Sequence, residues 1–565
     1  MENDYYLVFS SGGNSYSCEG TFSGSDGKIL LPENMDEGEH LVELSFRDSG
    51  HRRTVTLRAV SDVVIDEYRE YGHDFFAEGD PAKEYDPKGD LYFINGYQSW
   101  TDTREYYGDT RERDVKSLPA PILRGFSLDR YGDAMFYKYD KRVLHGYDVF
   151  YVKGKTTGFV LNLNYAKAYL IVEVVRRTGE VTLISDLSGS AVKSGDVITL
   201  CDYYYSGDVD EGIGFLKETF RSRTAGKIFG YTSWYNYYQN IDAGIISRDL
   251  EALDSRFNLF QIDDGYETFV GDWLSVDEKK FPDGLSGIVS DIHGKGLMAG
   301  IWLAPFVAEE KSETFKDHPD WFGKGPDGLP VKCGSNWSGF YALDLDHPEV
   351  LSYVEKCLKT YADMGFDFFK LDFLYAANLP DYEGRTRSEQ AEYAYSFLRK
   401  VLGDKLILGC GATLFNAAGK FDYMRIGPDV SLKFDDVWYM KFMHRERIST
   451  KVTLQNTIFR SFMDGCLFGN DPDVFLLRDD NISLTAAQRK ALITINALFG
   501  SVMMTSDNVA EYDRSKLDAL DGALTLFNEA EVTDYSRRGD VITIVYALGG
   551  RSFTIKYDTE KGIII

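Results

Sequence analysis

Apolar and polar residues alternate in single steps along much of the first 205 positions. The segments 40–46, 53–57, 169–175 and 197–200 carry this pattern, and Gly, Asp and Asn turns separate them. A period of two puts one face of each segment inward, which predicts antiparallel strands stacked as an N-terminal β-sandwich over 1–210. From about residue 227 the rhythm becomes strand, loop, helix. Strands are predicted at 230–234, 259–262, 298–303, 368–373, 406–409, 423–426, 466–469 and 502–505. One intervening helix opens at Asp346-His347-Pro348-Glu349, a cap followed by an early proline, and another at the capping box Thr386-Arg387-Ser388-Glu389. Eight such units over 211–508 match the size of a central (β/α)8 barrel, although 413–420 leaves little room for a fifth helix. Beyond 509 the strand–helix rhythm stops. The segments 541–546 and 552–555 flank Gly549-Gly550, which predicts hairpins of a small antiparallel C-terminal β-domain over 509–565. The expected fold class is multidomain, α/β plus all-β.

Length agrees with this division, since 565 residues exceed a single core. With 44% hydrophobic and 27% charged residues, the composition is that of a folded chain. A net charge of -27 without an offsetting basic patch argues against nucleic acid and anionic membranes as partners, and reads as a solvated acidic surface. No apolar run reaches the roughly 20 residues that span a bilayer. The opening Met1-Glu2-Asn3-Asp4-Tyr5-Tyr6 has neither the basic nor the apolar region of an export signal. Cys18, Cys201, Cys333, Cys357, Cys410 and Cys466 are scattered without a Cys-x-x-Cys pair, which suggests free thiols in the cytoplasm. Nothing in the sequence fixes the oligomeric state.

The chemistry concentrates where barrel enzymes place it, at the carboxyl ends of strands. Phe368-Phe369-Lys370-Leu371-Asp372-Phe373-Leu374 and Tyr423-Met424-Arg425-Ile426-Gly427-Pro428-Asp429 each deliver a cation and then a carboxylate. Buried strands rarely finish in opposite charges unless their ends face a polar cavity. Two such carboxylates are what acid-assisted cleavage of a glycosidic bond requires. Asp372 reads as a nucleophile with Lys370 on the same strand face, against a structural ion pair at a strand mouth. Asp429 reads as general acid and base on a loop tightened by Gly427-Pro428, against a turn aspartate solvating its own backbone. Arg425 would anchor a sugar oxygen or only neutralise the cavity. Asp263-Asp264 ends the second strand and suits sugar hydroxyls or a capping role. Trp302 ends the third as a stacking wall or a core aromatic, and Cys410 closes the fifth as a pocket wall or a small buried hydrophobe. Asn470-Asp471-Pro472-Asp473 and Ser506-Asp507 end the seventh and eighth. Histidine is absent from all these ends, so no metal and no cofactor is expected.

These segments resemble glycoside hydrolase family 36, the microbial α-galactosidases. The likeness runs from Asn95-Gly96-Tyr97-Gln98-Ser99-Trp100 through Gly230-Tyr231-Thr232-Ser233-Trp234-Tyr235, Phe260-Gln261-Ile262-Asp263-Asp264-Gly265-Tyr266 and Gly271-Asp272-Trp273. It continues through Gly300-Ile301-Trp302-Leu303-Ala304-Pro305-Phe306, His318-Pro319-Asp320-Trp321 and Leu408-Gly409-Cys410-Gly411 to Asp507. It implies a retaining exo-α-galactosidase acting on α-galactoside oligosaccharides by double displacement. Asp372 falls on its nucleophile and Asp429 on its acid/base. Asp263, Asp264, Lys370, Arg425 and Cys410 fall on galactose contacts, and Trp302, Trp337 and Trp100 on aromatic walls. Periodicity alone would leave Trp100 in the β-sandwich. Lys370-Leu371-Asp372 and Gly427-Pro428-Asp429 stand where larger members carry Lys-Trp-Asp and Trp-Thr-Ser-Asp, so the likeness is to the shorter branch. The departure leaves tetrameric assembly and oligosaccharide preference open. The alternatives are an α-N-acetylgalactosaminidase, an α-galactosyl transglycosidase, a non-catalytic sugar-binding protein, and a metal-assisted enzyme using Asp263, Asp372 and Asp473.

Overall fold

The computed structural model describes residues 3–32, 40–72, 85–113, 115–187, 189–223, 226–325, 327–382, 384–435 and 445–565. Two antiparallel sheets come first. In one, Asn14–Gly20, Tyr5–Ser11, Val63–Tyr71, Val181–Ser185, Leu170–Val175 and Val143–Tyr147 lie side by side, and Ser190–Val192 also pairs with Val63–Tyr71. The other runs from Asp26–Leu31 through Val42–Ser49, Arg52–Ala59, Val197–Ser206, Gly158–Asn162, Val149–Lys153 and Leu91–Ile94 to Arg104–Tyr107. Alternation decides which side chains meet. Val42, Leu44 and Phe46 are buried from one strand, and they share a single apolar core with Leu7, Phe9, Val172 and Leu183 of the other sheet. The four alternating segments of the sequence all overlap strands of these sheets.

The helix Val209–Thr219, capped by the Asp208 carboxylate, leads into a curled parallel sheet. Ile228–Thr232, Leu259–Ile262, Met298–Leu303, Phe368–Leu371, Leu406–Gly409, Tyr423–Arg425 and Gly469–Asp471 are neighbours in chain order. On its other edge Ile228–Thr232 pairs with Val502–Thr505, which pairs with Val474–Phe475. The two end members are separated only by Pro472 and Asp473, so the sheet curls until its edges meet in one interrupted strand. Proline has no N–H for the ladder, and Asp473 takes a left-handed φ of 75°. The sheet is covered on both faces, which is why most of its strands read as unbroken apolar runs.

The first parallel strand is Ile228–Thr232 rather than 230–234, with Trp234 opening a short helix, the fourth is Phe368–Leu371 rather than 368–373, and two larger differences follow. The seventh strand lies at Gly469–Asp471 and Val474–Phe475 rather than 466–469, because Cys466 and Leu467 turn inward to fill the core after the short Ser461–Met463 helix. After the last parallel strand comes a helix, Arg514–Glu529, that the sequence reading lacked. Asp513 caps it by accepting from Lys516 N–H, and it buries Leu520, Ala523 and Phe527 at helical spacing. The fifth helix is only Leu414–Ala417, and Arg387–Leu402 begins with the expected capping box. Glu531–Arg538, Val541–Leu548, Arg551–Asp558 and Ile563–Ile564 form a final antiparallel sheet. Its central hairpin turns on Gly549 and Gly550, with φ of 56° and 74°, the pair of positive values that a two-residue turn matched to strand twist demands.

All six cysteines are buried, and none forms a disulfide. Among the described residues no helix is long and apolar enough to cross a membrane.

A buried charge cluster ties the first sheets to the loop after Asp429. His145 Nδ1 lies 2.6 Å from Glu112 Oε2 and its Nε2 lies 2.7 Å from Asp133 Oδ2. Tyr139 and Tyr147 hydroxyls also donate to Asp133, and Arg445 Nη1 donates to His145 O at 3.2 Å. Burial works against the imidazolium, but Glu112 and Asp133 overcome it and push His145 up to about 9. In the unfolded chain the ring titrates near 6.5, at about the ordinary histidine value. This contribution to stability is therefore complete below about pH 6.5 and is lost as pH rises through about 9. His145→Gln should cost on the order of 3 kcal/mol at pH 6 and flatten the decline of Tm across that window. If Tm still falls as steeply as in the wild type between those pH values, the imidazolium is not its source.

Candidate active site

A cavity of about 290 Å³ opens at the carboxyl ends of the parallel strands. This is close to the lower bound of small-ligand pockets, about 300 Å³. Asp263, Asp264, Trp302, Lys370 and Asp372 line it from the strand ends, Asp429 from the loop after the sixth strand, Trp337 from the loop after the third, and Trp100 from the antiparallel region. Arg425 and Cys410 are nearly inaccessible and sit behind this lining.

Strand geometry explains the floor. Lys370 and Asp372 are two residues apart and share a strand face. Lys370 Nζ donates to Asp263 Oδ2 at 2.8 Å. Burial would strip the lysine of its proton, but Asp263 holds it charged, above its ordinary value. Asp263 is fully engaged, because the same oxygen also accepts from Gln261 at 2.7 Å while Oδ1 accepts from Asp264 N–H at 3.0 Å. Asp372 ends the strand. Its Oδ2 accepts from Trp302 Nε1 at 3.0 Å and its Oδ1 from the Phe373 N–H at 2.8 Å. Phe373 turns sharply there, with φ of 54°. Trp302 therefore acts as a donor as well as a wall.

Asp264 Oδ2 accepts from Trp337 Nε1 at 2.9 Å, and Gln239 Nε2 donates to Oδ1 at 3.1 Å. Burial raises Asp264 above its usual carboxylate range, and burial followed by Asp264's charge raises nearby Glu267 much further.

Asp429 lies on a loop rather than a strand. Thr453 Oγ1 donates to Pro428 O at 2.6 Å, and Ser449 N–H donates to Asp429 O at 3.2 Å. Its side chain is one-third exposed, and Arg425 Nη1 donates to Oδ1 at 3.0 Å. Enclosure by the protein raises Asp429 above the usual range. Arg425 and Lys370 oppose that, while Asp372 adds to it. A carboxyl held toward its protonated form thus shares the cavity with a second carboxylate that accepts two N–H groups. The pair has the asymmetry of an acid and a nucleophile.

Trp100 arrives on the segment 95–103, which is stitched to the parallel sheet. Buried Arg460 donates to Ser99 O at 2.6 Å and Ile426 O at 2.8 Å, and Thr103 N–H donates to Asn456 Oδ1 at 2.8 Å. Trp100 Nε1 donates to Cys410 Sγ at 3.2 Å, and the ring meets Phe373 edge-on at 5.2 Å. Cys410 is thus a wall behind Trp100, with burial raising its thiol well above the ordinary value. Sequence reasoning missed Tyr131, Phe126 and Leu128, which bring a further piece of the antiparallel region to the cavity, and Asn336 and Ile448 on loops. Only Asn336, next to Trp337, carried a signal. Asp471 and Asp473 are fully buried against Arg425 and do not line the cavity, and Asp263 is committed to Lys370. Among the described residues no group of three His, Cys, Asp or Glu is arranged to hold a metal ion.

Residues 227–405 match the melibiase family, a span that contains Asp372 and stops short of Asp429. The α-galactosidase Mel36A of Lactobacillus acidophilus is 30% identical over 182 residues, 29% of this chain and 24% of that protein. The matched segment thus spans about a quarter of this curated relative. The α-galactosidase TtGalA of Thermus thermophilus, solved with p-nitrophenyl α-D-galactopyranoside, superposes with a TM-score of 0.69 at 24% identity. That match covers 94% of this chain and 98% of the other. The GH36 α-galactosidase AgaA of Geobacillus stearothermophilus gives 0.60 at 11% identity, over 98% of this chain and 81% of its own.

A Cβ at Gly411 would lie 3.0 Å from the Trp100 ring, and its φ is 61°. Gly411→Ala should lower the unfolding free energy by about 1–3 kcal/mol and red-shift the Trp100 fluorescence as the ring is displaced. Unchanged stability and emission, read against a Trp100→Phe reference, would mean that the ring does not depend on this glycine.

Proposed function

We propose that this chain, a glycoside hydrolase of the melibiase family with the fold of family 36, is a retaining exo-α-galactosidase. The reading takes the curled sheet as a (β/α)8 barrel between an N-terminal β-sandwich and a C-terminal β-domain. The observation that carries it is the lining of one small cavity by Asp372, with its two N–H donors, and Asp429, held toward its protonated form. Terminal α-linked galactose would enter with its ring against Trp100, Trp302 and Trp337 and its hydroxyls toward Asp264 and Lys370. Asp372 attacks the anomeric carbon as Asp429 protonates the departing glycosidic oxygen. The resulting β-galactosyl ester is opened by water that Asp429, now a base, deprotonates, and α-galactose leaves. Arg425 and Asp263, locked in ion pairs, serve by orienting their neighbours.

Galactose is favoured over N-acetylgalactosamine because Trp100 covers Cys410, where the family likeness would put the C2 substituent. TtGalA has also been solved with stachyose, which supports α-galactoside oligosaccharides as substrates here. Six buried thiols support a cytoplasmic setting.

Aryl α-galactosides should be hydrolysed well ahead of the α-N-acetylgalactosaminide and α-glucoside. Proton NMR should show the α-anomer of galactose appearing first. β-Galactose as first product would overturn the double displacement, and preference for the acetamido sugar would overturn the substrate. Asp372→Asn should abolish turnover while leaving Tm near the wild-type value; loss of only a few-fold removes it from the nucleophile role. Asp429→Ala should spare activated aryl galactosides by at least tenfold relative to melibiose-type substrates, by about the general-acid contribution of 10²–10⁴. Equal losses on both would count against the acid.

A further inference from the structure

We infer that Asp473 is a positioning residue for Asp429: it offsets the Arg425 charge and braces the backbone beside the acid, so that Asp429 keeps its proton for the leaving oxygen. The inference rests on the galactosidase reading for the role of Asp429.

One buried guanidinium faces three carboxylates. Arg425 Nη1 donates to Asp429 Oδ1 at 3.0 Å and Nε to Asp471 Oδ2 at 3.0 Å, and Nη2 lies 2.9 Å from Asp473 Oδ1. Paired with Asp429 alone, Arg425 would pull that carboxyl into its anionic form. Asp471 and Asp473, both inaccessible to solvent, engage the remaining edges of the fork and cancel the excess charge. Asp473 does a second thing. Its Oδ2 accepts from the Tyr235 hydroxyl at 2.5 Å and from Val430 N–H at 2.7 Å. Val430 directly follows Asp429, so the same carboxylate fixes the acid's own loop. The break in the seventh strand makes this possible: after Pro472, the left-handed turn at Asp473 aims its side chain toward the sixth strand's loop.

The charged and titratable groups around Asp429 are Arg425, Lys370, Asp372, Tyr235 and Asp473, with Cys410 and Tyr238 beyond. Around Asp473 they are Arg425, Asp429, Asp471 and Tyr235. Burial first, then Asp429 and Asp471, push Asp473 up to about 7 against Arg425. Its charge is therefore present above neutrality, where an acid most needs help to stay protonated.

Asp473→Asn keeps the shape and an acceptor for Val430 but removes the charge. The basic limb of the kcat/KM profile should move down by about one pH unit, which is about tenfold in the protonated fraction. Above the limb, methyl α-galactoside should lose about tenfold, whereas 2,4-dinitrophenyl α-galactoside should stay within about twofold. Asp471→Asn, which removes charge without touching Val430, should shift the limb in the same direction and carries the test if Asp473→Asn fails to fold. Equal losses on both substrates with an unmoved limb would overturn the inference and leave the galactosidase reading standing. An activity-independent readout separates the two. Carbodiimide coupling of an amine needs a protonated carboxyl, so the pH of half-coupling at Asp429, followed by peptide mass spectrometry, should fall in Asp473→Asn. If no α-galactoside is turned over, the functional reading fails, and an unmoved coupling pH would overturn this one as well.

Discussion

The structure depends on keeping carboxylates charged, or deliberately uncharged, in a largely buried cluster at the ends of the parallel strands. Moving an ionised carboxylate out of water is costly unless donors or a cation replace its hydration. Each acid at these strand ends has such a replacement: Lys370 for Asp263, Trp337 and Gln239 for Asp264, Trp302 and the Phe373 N–H for Asp372, and Arg425 for Asp471 and Asp473. Asp429 differs in its exposure: it shares Arg425 with Asp471 and Asp473 and stays partly open to solvent, while, like Asp264 and Asp473, it is tilted toward the protonated form. The asymmetry that the proposed mechanism uses thus comes from unequal surroundings of chemically identical side chains.

That distribution needs both halves of the molecule. The parallel sheet supplies the charges, and the antiparallel region supplies Trp100, Tyr131, Phe126 and Leu128. Arg460 has carbonyls and the Asn95 amide oxygen around its guanidinium rather than a carboxylate, so it serves as a backbone clamp between the two. Arg445 reaches the opposite way, from the loop after Asp429 into the His145 cluster. The mouth of the site is held from both directions.

Most parallel strands were legible because burial on both faces leaves an apolar run bounded by turns; Leu259–Ile262, Met298–Leu303, Leu406–Gly409 and Val502–Thr505 begin and end as read. The seventh was misplaced because its apolar approach, 466–468, packs as a turn, while the paired residues Asn470 and Asp471 look like loop. The Arg514–Glu529 helix was overlooked although Asp513 and the 520, 523, 527 spacing announce it. For the site, strand-end position made Trp302, Lys370 and Asp372 readable as candidates, since two-residue periodicity sets where strand side chains point; it would send only one of Asp263 and Asp264 inward, and both line the cavity because the strand ends at Ile262 before them. Trp100 came only through family likeness, because its place depends on docking between distant segments. Tyr131 and Phe126 had neither cue. Arg425 was read as a possible sugar contact, but the sequence could not show that three carboxylates would surround it.

The two principal aspartates are mounted differently, and the proposed chemistry, with Asp372 as nucleophile and Asp429 as acid, gives a reason. A nucleophile has one task, to reach the anomeric carbon along a fixed line, and small displacements cost much of the rate. Asp372 sits at the end of a hydrogen-bonded strand with both oxygens tethered. The acid must serve two partners, the departing oxygen and then an incoming water, and must change protonation state between them. A strand end gripped by fixed donors would favour one state over the other. Asp429 is held through its backbone, by Ser449 at its own carbonyl and by Asp473 at the next N–H, while Arg425 holds one carboxyl oxygen and the side chain stays one-third exposed. A fixed backbone with a partly exposed carboxyl suits a residue proposed to work in both directions.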